Sequence, residues 1–151
     1  MVPFSRLTVV VADGGRARFL SPRPHPPGYA TAQSMESVAL HQKTADLTAD
    51  RLGRSFESAS PTRHAIQPRH DPHDQAKHEF AARVAEAINA GIDEAVFDHI
   101  LLAAPAPVLS EIEHALSPKA RERLVATLPK DLTRTPDQEI AEHVLTLLHR
   151  T

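Results

Sequence analysis

Two apolar runs, Leu7–Ala12 and Ala17–Leu20, flank the tetrapeptide Asp13-Gly14-Gly15-Arg16 near the start of the chain. β-Branched residues crowd the first run and the paired glycines accept positive φ, so the pattern predicts an antiparallel hairpin. Ser21–Tyr29 carries Pro22, Pro24, Pro26 and Pro27 and is predicted to fall outside regular structure. Tyr29–Leu40 alternates loosely and suits a third strand. From His41 to Pro72 no period persists, and a polar segment of that length inside a compact domain reads as a functional or mobile loop.

Helical order returns at Asp71-Pro72, an N-cap followed by proline at the first helical position, with Phe80, Val84 and Ile88 four apart on one face. Gly91 marks the expected end of that helix. The nearly continuous apolar run His99–Pro105 predicts a central strand covered on both faces. Val108, Leu109, Ile112 and Leu116 give the next helix, and Ser117-Pro118 caps a short one carrying Lys119–Val125. A brief strand fits within Ala126–Thr133. Thr135-Pro136-Asp137-Gln138 then combines a capping box with an early proline, ahead of an apolar face of Ile140, Val144, Leu147 and Leu148.

The order β-β-β-α-β-α-β-α, with right-handed helical crossovers onto one mixed sheet, predicts a single α/β domain over residues 1–151 in a ribonuclease H-like arrangement, with a long polar loop at about 41–72. At 151 residues the chain can bury a core without staples. Its lack of cysteine excludes disulfides, thiolate zinc sites and cysteine nucleophiles. No signal-peptide pattern or spanning helix opens the sequence, so a cytoplasmic protein is expected. A formal charge of −2 argues against nucleic-acid binding by bulk charge, so any RNA contact needs a local basic patch. Protonating all ten histidines would carry the charge from −2 to +8, so affinity for polyanions should rise as pH falls through roughly 6.5.

Two-metal nucleic-acid hydrolysis needs carboxylates converging on cations about 4 Å apart. Asp13 lies beyond the first strand and Glu79 or Glu86 sits on the helix, but the fourth strand ends in Ala103-Ala104-Pro105, which offers no ligand. Asp13 reads better as a turn residue. The stretch PTRHAIQPRHDPHDQAKHEF, residues 61–80, contains His64, His70, His73 and His78. Asp74 and His78 are one turn apart, with His70 and His73 near the helix start, yet the spacing matches no established zinc pattern. Solvated or hydrogen-bonding roles are the stronger reading, and neither a metal set nor a cofactor is assigned.

Arg51, Arg54, Arg63 and His64, with Gly53 giving the backbone room, form the better candidate site. Guanidinium forks bind phosphate or carboxylate bidentately, and the helix start at Pro72 adds backbone donors. Equally, the arginines could pin the loop through Asp46, Asp50 and Glu57. Arg16 and Arg18 share a parity on the hairpin and either extend a basic edge or form the solvent side of an antiparallel strand. With five Phe, one Tyr and no Trp, base stacking is not expected to dominate. Glycine-rich phosphate loops, nucleophile elbows and His-Glu-x-x-His pairs are missing.

The segments VVVADGGRARFL, DRLGRSFES, RHAIQPRHDPHDQAKHEFAARVAEAI, HILLAAPAPVLSEI and PKDLT, spread over nearly the whole chain, resemble the bacterial host attachment proteins, "protein required for attachment to host cells". That family looks like a divergent relative of the middle domain of archaeal and eukaryotic class-one translation release factors. The resemblance implies a ribonuclease H-like fold and, as partners, tRNA or the ribosome. Release factors act through a Gly-Gly-Gln tip, whereas Gly14-Gly15 is followed here by Arg16, so peptidyl-tRNA hydrolysis is not carried over. The expected function is a non-enzymatic or weakly enzymatic module that binds structured RNA or the ribosome, with no catalytic residue assigned. The alternatives are a small hydrolase of phosphate-containing substrates with His64 or His70 as general base, and an attachment- or adhesion-associated protein as the family name suggests.

Overall fold

The computed structural model describes residues 6–24, 27–39 and 72–150. Among these, the elements run β1 (Leu7–Ala12), β2 (Arg16–Pro24), β3 (Pro27–Glu36), α1 (Pro72–Asp93), β4 (His99–Ala103), α2 (Ala106–Ala115), α3 (Pro118–Glu122), β5 (Leu124–Leu128) and α4 (Asp137–Arg150). The strands form one mixed sheet in the order β3-β2-β1-β4-β5. The β1–β2 and β2–β3 pairs are antiparallel, while β4 lies parallel to both β1 and β5. This is the predicted single α/β domain with a mixed sheet, and its strand order is compatible with a ribonuclease H-like arrangement.

Alternation along the two central strands decides where each helix packs. Val10 and Ala12 of β1, with Ile100 and Leu102 of β4, face α1, α2 and α3, where they meet Phe80, Val84, Ile88, Ile112 and Ala120. Leu7, Val9 and Val11, with Leu101 and Ala103, face the other way onto Ile140, Ala141 and Val144 of α4. Both strands are buried on both sides, which is why they read as continuous apolar runs. Each fully buried Val, Leu, Ile or Phe here contributes about 1.5–3 kcal/mol.

Four boundaries differ from the sequence expectation. Strand β2 runs through Pro22 to Pro24, opposite Tyr29 and Pro27 of β3. A proline cannot donate to its partner, so these are non-hydrogen-bonded pairs whose missing donors face away from β3. On that side β2 has already outrun β1, whose pairing with it covers only Val9–Ala12, so no ladder is interrupted. Strand β3 starts at Pro27 and stops at Glu36, short of Leu40, where the Ser37 N–H donates to the Gly15 carbonyl at 2.8 Å. Strand β5 begins at Leu124, so Leu124 and Val125 leave the short helix that Ser117 caps by accepting the Ala120 N–H at 3.1 Å.

The fourth difference is at the end of α1. The helix runs past Gly91 to Asp93 and closes with Ala95 at φ 60°. The Val96 N–H donates to the Gly91 carbonyl at 2.8 Å and the Ala95 N–H to the Ile92 carbonyl at 3.2 Å, a Schellman arrangement with alanine where glycine is usual. Gly91 serves a different purpose: a Cβ there would stand 2.2 Å from the Phe97 ring. That ring stacks on Phe19 of β2, centroids 5.6 Å apart. At the N-terminal ends of the parallel strands, Asp98 binds both Arg6 and Arg123, the latter at 3.0 Å.

Ala95→Gly relieves the left-handed strain and should raise unfolding free energy by about 0.5–1 kcal/mol, whereas Gly91→Ala should lower it by about 1–3 kcal/mol through displacement of Phe97; urea melts measure both. A second prediction concerns Tyr29, which is buried and donates its hydroxyl to the Leu7 carbonyl at 3.0 Å. Burial raises its phenol above the ordinary value of 10.0, so the stability it contributes is intact below pH 10 and declines as pH rises beyond. Because this is the sole tyrosine and tryptophan is absent, phenolate absorbance during an alkaline titration should appear together with loss of circular dichroism. Ionisation near pH 10 with the fold intact would contradict this.

Candidate functional site

Asp13 organises the hairpin at the C-terminal end of β1. Its Oδ1 accepts the backbone N–H groups of Gly15 at 2.8 Å and Arg16 at 2.7 Å, closing the turn as sequence reasoning expected of an aspartate beside two glycines. Its Oδ2 lies 3.1 Å from the Thr133 hydroxyl, which is also 2.5 Å from Asp131 Oδ1. Two residues further along β2, the Arg18 guanidinium donates Nη1 to Asp137 Oδ1 at 2.9 Å, and Nη2 to the carbonyls of Leu132 at 2.9 Å and Thr135 at 2.5 Å. The Ala-Asp-x-x-Arg-Ala-Arg hairpin and the Lys-Asp-Leu-Thr segment, distant in sequence, therefore form one structural unit.

Asp137 is fully engaged as well, since it also accepts the Thr31 N–H at 2.9 Å and the Thr31 hydroxyl at 2.8 Å. The predicted capping box at Thr135–Gln138 does not form among the described residues. The helix starts at Asp137 and its first turn is closed by the Ile140 N–H on the Pro136 carbonyl, while the Asp137 carboxylate is drawn to Arg18 and to the edge strand β3.

The rim around this turn is where the chain leaves β3 and enters α1. Ser37 bonds Gly15, and the methylenes of Lys77 on α1 lie over Gly14, 3.2 Å from where a Cβ would stand. Both described flanks of residues 40–71 therefore touch the same turn, at the C-terminal end of the parallel strands, where open α/β sheets usually bind ligands. Arg16, Lys77 and Arg134 are exposed here, and among the described residues none of the three makes an ion pair. At the opposite end of the sheet Arg6 and Arg123 share one carboxylate, that of Asp98.

Of the residues that the sequence singled out, Arg16 is on this rim and exposed, while Arg18 is beneath it with its guanidinium committed. Arg51, Arg54, Arg63, His64 and His70 lie outside the described residues. His78 pairs with Glu111 across α1 and α2, Asp74, Glu79 and Glu86 are exposed, and Ala103-Ala104 is buried. Among the described residues no three histidine or carboxylate side chains converge as metal ligands. Lys77 and Arg134 were missed: nothing in their local sequence connects them with the hairpin, and only the fold does.

Replacing Arg18 by Met should lower unfolding free energy by about 2–3 kcal/mol, because it strands Asp137 and two carbonyls together; Arg18→Lys should restore less than half, since an ammonium cannot span the three acceptors. Chemical denaturation of the two variants gives the comparison. Loss below about 0.5 kcal/mol for Arg18→Met would mean that the clamp contributes little.

A solved structure similar to this chain is that of an archaeal translation termination factor, aRF1, with 9% sequence identity and a TM-score of 0.47, covering 97% of this chain. This chain spans 40% of that protein's length. No protein of curated function matches significantly. Among the described residues no helix is long and apolar enough to cross a membrane. The family described as "Protein required for attachment to host cells" matches residues 8–144, which take in the hairpin, the segment it clamps and most of α4, and the chain belongs to that family.

Proposed function

We propose that the hairpin rim binds the phosphate backbone of structured RNA, with tRNA or the ribosome as the partner, and that it does so without catalysis. The observation that carries this reading is a set of exposed cations at one turn: Arg16 in it, Lys77 over it and Arg134 beside the Thr133 that bonds Asp13, none of which makes an ion pair among the described residues, whereas Arg6 and Arg123 at the other end of the sheet share Asp98. Arg51, Arg54, Arg63 and His64 belong to the segment whose flanks attach at that turn, and in this proposal they add guanidinium forks to the same surface. Arg18 contributes by holding the segment that bears Arg134. Phosphate recognition of this kind needs neither base stacking nor a large positive net charge, only a local concentration of donors.

Binding of tRNA followed by fluorescence anisotropy across a salt series should give a linear log–log plot, and alanine at Arg16, Lys77 or Arg134 should each reduce its slope by about 1. Arg23→Ala, at the far end of β2, should leave the slope unchanged. Alanine at Arg51, Arg54 and Arg63 should weaken binding further. An affinity and slope indifferent to all of these substitutions would remove the proposal.

A further inference from the structure

A cavity of about 320 Å³ opens where β5 ends against the second half of α4, lined by Leu128, Lys130, Glu142, His143, Thr146 and Leu147. The Lys130 N–H donates to the Leu128 carbonyl at 2.8 Å across Pro129, whose ring fixes φ, so the chain turns at once as it leaves the strand. Leu128 and Leu147 pack against the core beneath α4 and give the cavity an apolar wall. Among the described residues, the side chains of Lys130, Glu142, His143 and Thr146 make no hydrogen bond or ion pair. Asp13, Arg18, Asp98 and Asp137, by contrast, are all committed to holding the fold. Because β5 is parallel to β4 and β4 to β1, the cavity stands at the carboxyl end of a parallel strand, where open α/β sheets take their ligands.

We propose that this cavity binds a nucleoside monophosphate, either free or at the end of an RNA strand. The phosphate meets the Lys130 ammonium, the Glu142 carboxylate accepts from the ribose hydroxyls, His143 and Thr146 add hydrogen bonds, and the base lies on Leu128 and Leu147. Simpler ligands leave part of this lining unused. Inorganic phosphate would bring its charge beside Glu142 and ignore the leucines, a fatty acid would desolvate Glu142 and Thr146 without bonding them, and a bare nucleoside has nothing for Lys130. The volume is at the small end of the range for ligand sites and suits one nucleotide rather than two. Lys130 and Arg134 belong to one segment, with Cα atoms separated by at most about 14 Å, and the Thr133 contact with Asp13 ties that segment to the hairpin. An RNA strand lying on the rim could thus place its last nucleotide in the cavity, but the site does not require the rim to bind RNA.

Binding of AMP and UMP to the full chain, read by ligand-observed NMR, is expected with Kd of about 0.1–2 mM, and adenosine and inorganic phosphate should each bind at least about tenfold more weakly. Lys130→Glu should weaken AMP about tenfold or more, and Glu142→Gln should narrow the preference for AMP over dAMP. Both residues are exposed, so circular dichroism should stay native. A short RNA and its circularised form separate the two sources. Tighter binding of the linear form, lost with Lys130→Glu, assigns the cavity to a strand end; no such difference, with AMP bound as before, assigns it to the free nucleotide. Arg16, Lys77 and Arg134 do not line the cavity, so a failure here leaves the salt-slope prediction for the rim standing. No AMP or UMP binding up to about 10 mM, phosphate bound as tightly as AMP, or an affinity untouched by both substitutions overturns the proposal.

Discussion

The Arg18 guanidinium joins parts of the chain that separate by more than a hundred residues. On one side is the hairpin, on the other the loop ahead of α4 and the first turn of that helix, and three acceptors converge on one planar group. Guanidinium suits this task because its donors diverge in a fixed plane. Without it, the Leu132 and Thr135 carbonyls and the Asp137 carboxylate would lose their shared donor, and the 131–137 segment would be held to the sheet by Leu132, by Thr133 on Asp13 and by Asp137 on Thr31. The position of Arg134, and so the shape of the proposed RNA-binding rim, follows from a neighbour that need not touch any ligand.

Electrostatics divides the molecule into two ends. Around Asp98, positive side chains meet a carboxylate and are used up in holding strand termini together. Around Asp13 the carboxylate is occupied by two backbone N–H groups and the Thr133 hydroxyl, and Arg16 and Lys77 beside it make no ion pair among the described residues. In the proposed function, a chain with a net charge of −2 would rely on such a local set of cations rather than on bulk charge.

The sheet was legible in the sequence because β1 and β4 have to be apolar on both faces, and helix α1 because its apolar residues recur every fourth position. What could not be read was where propriety of composition gives way to tertiary setting. Proline usually bars a strand, yet Pro22 and Pro24 pair with β3 in a part of β2 that, among the described residues, has no partner on its other side. Gly91 looked like a helix stop because glycine usually is one there, but its neighbour Phe97 needs the space and Ala95 takes the left-handed position instead. Arg16 and Arg18, alike in parity and spacing, have different fates because the 132–137 segment folds over one and leaves the other in solvent.

Asp137 also has a consequence for how the protein is made. It accepts the Thr31 N–H, so the start of the last helix shields part of an edge strand that left the ribosome long before it. During synthesis that strand must wait, its backbone open to other nascent chains, until α4 emerges. A chain halted before Asp137 would leave the Thr31 N–H and hydroxyl on β3 without the carboxylate that accepts them.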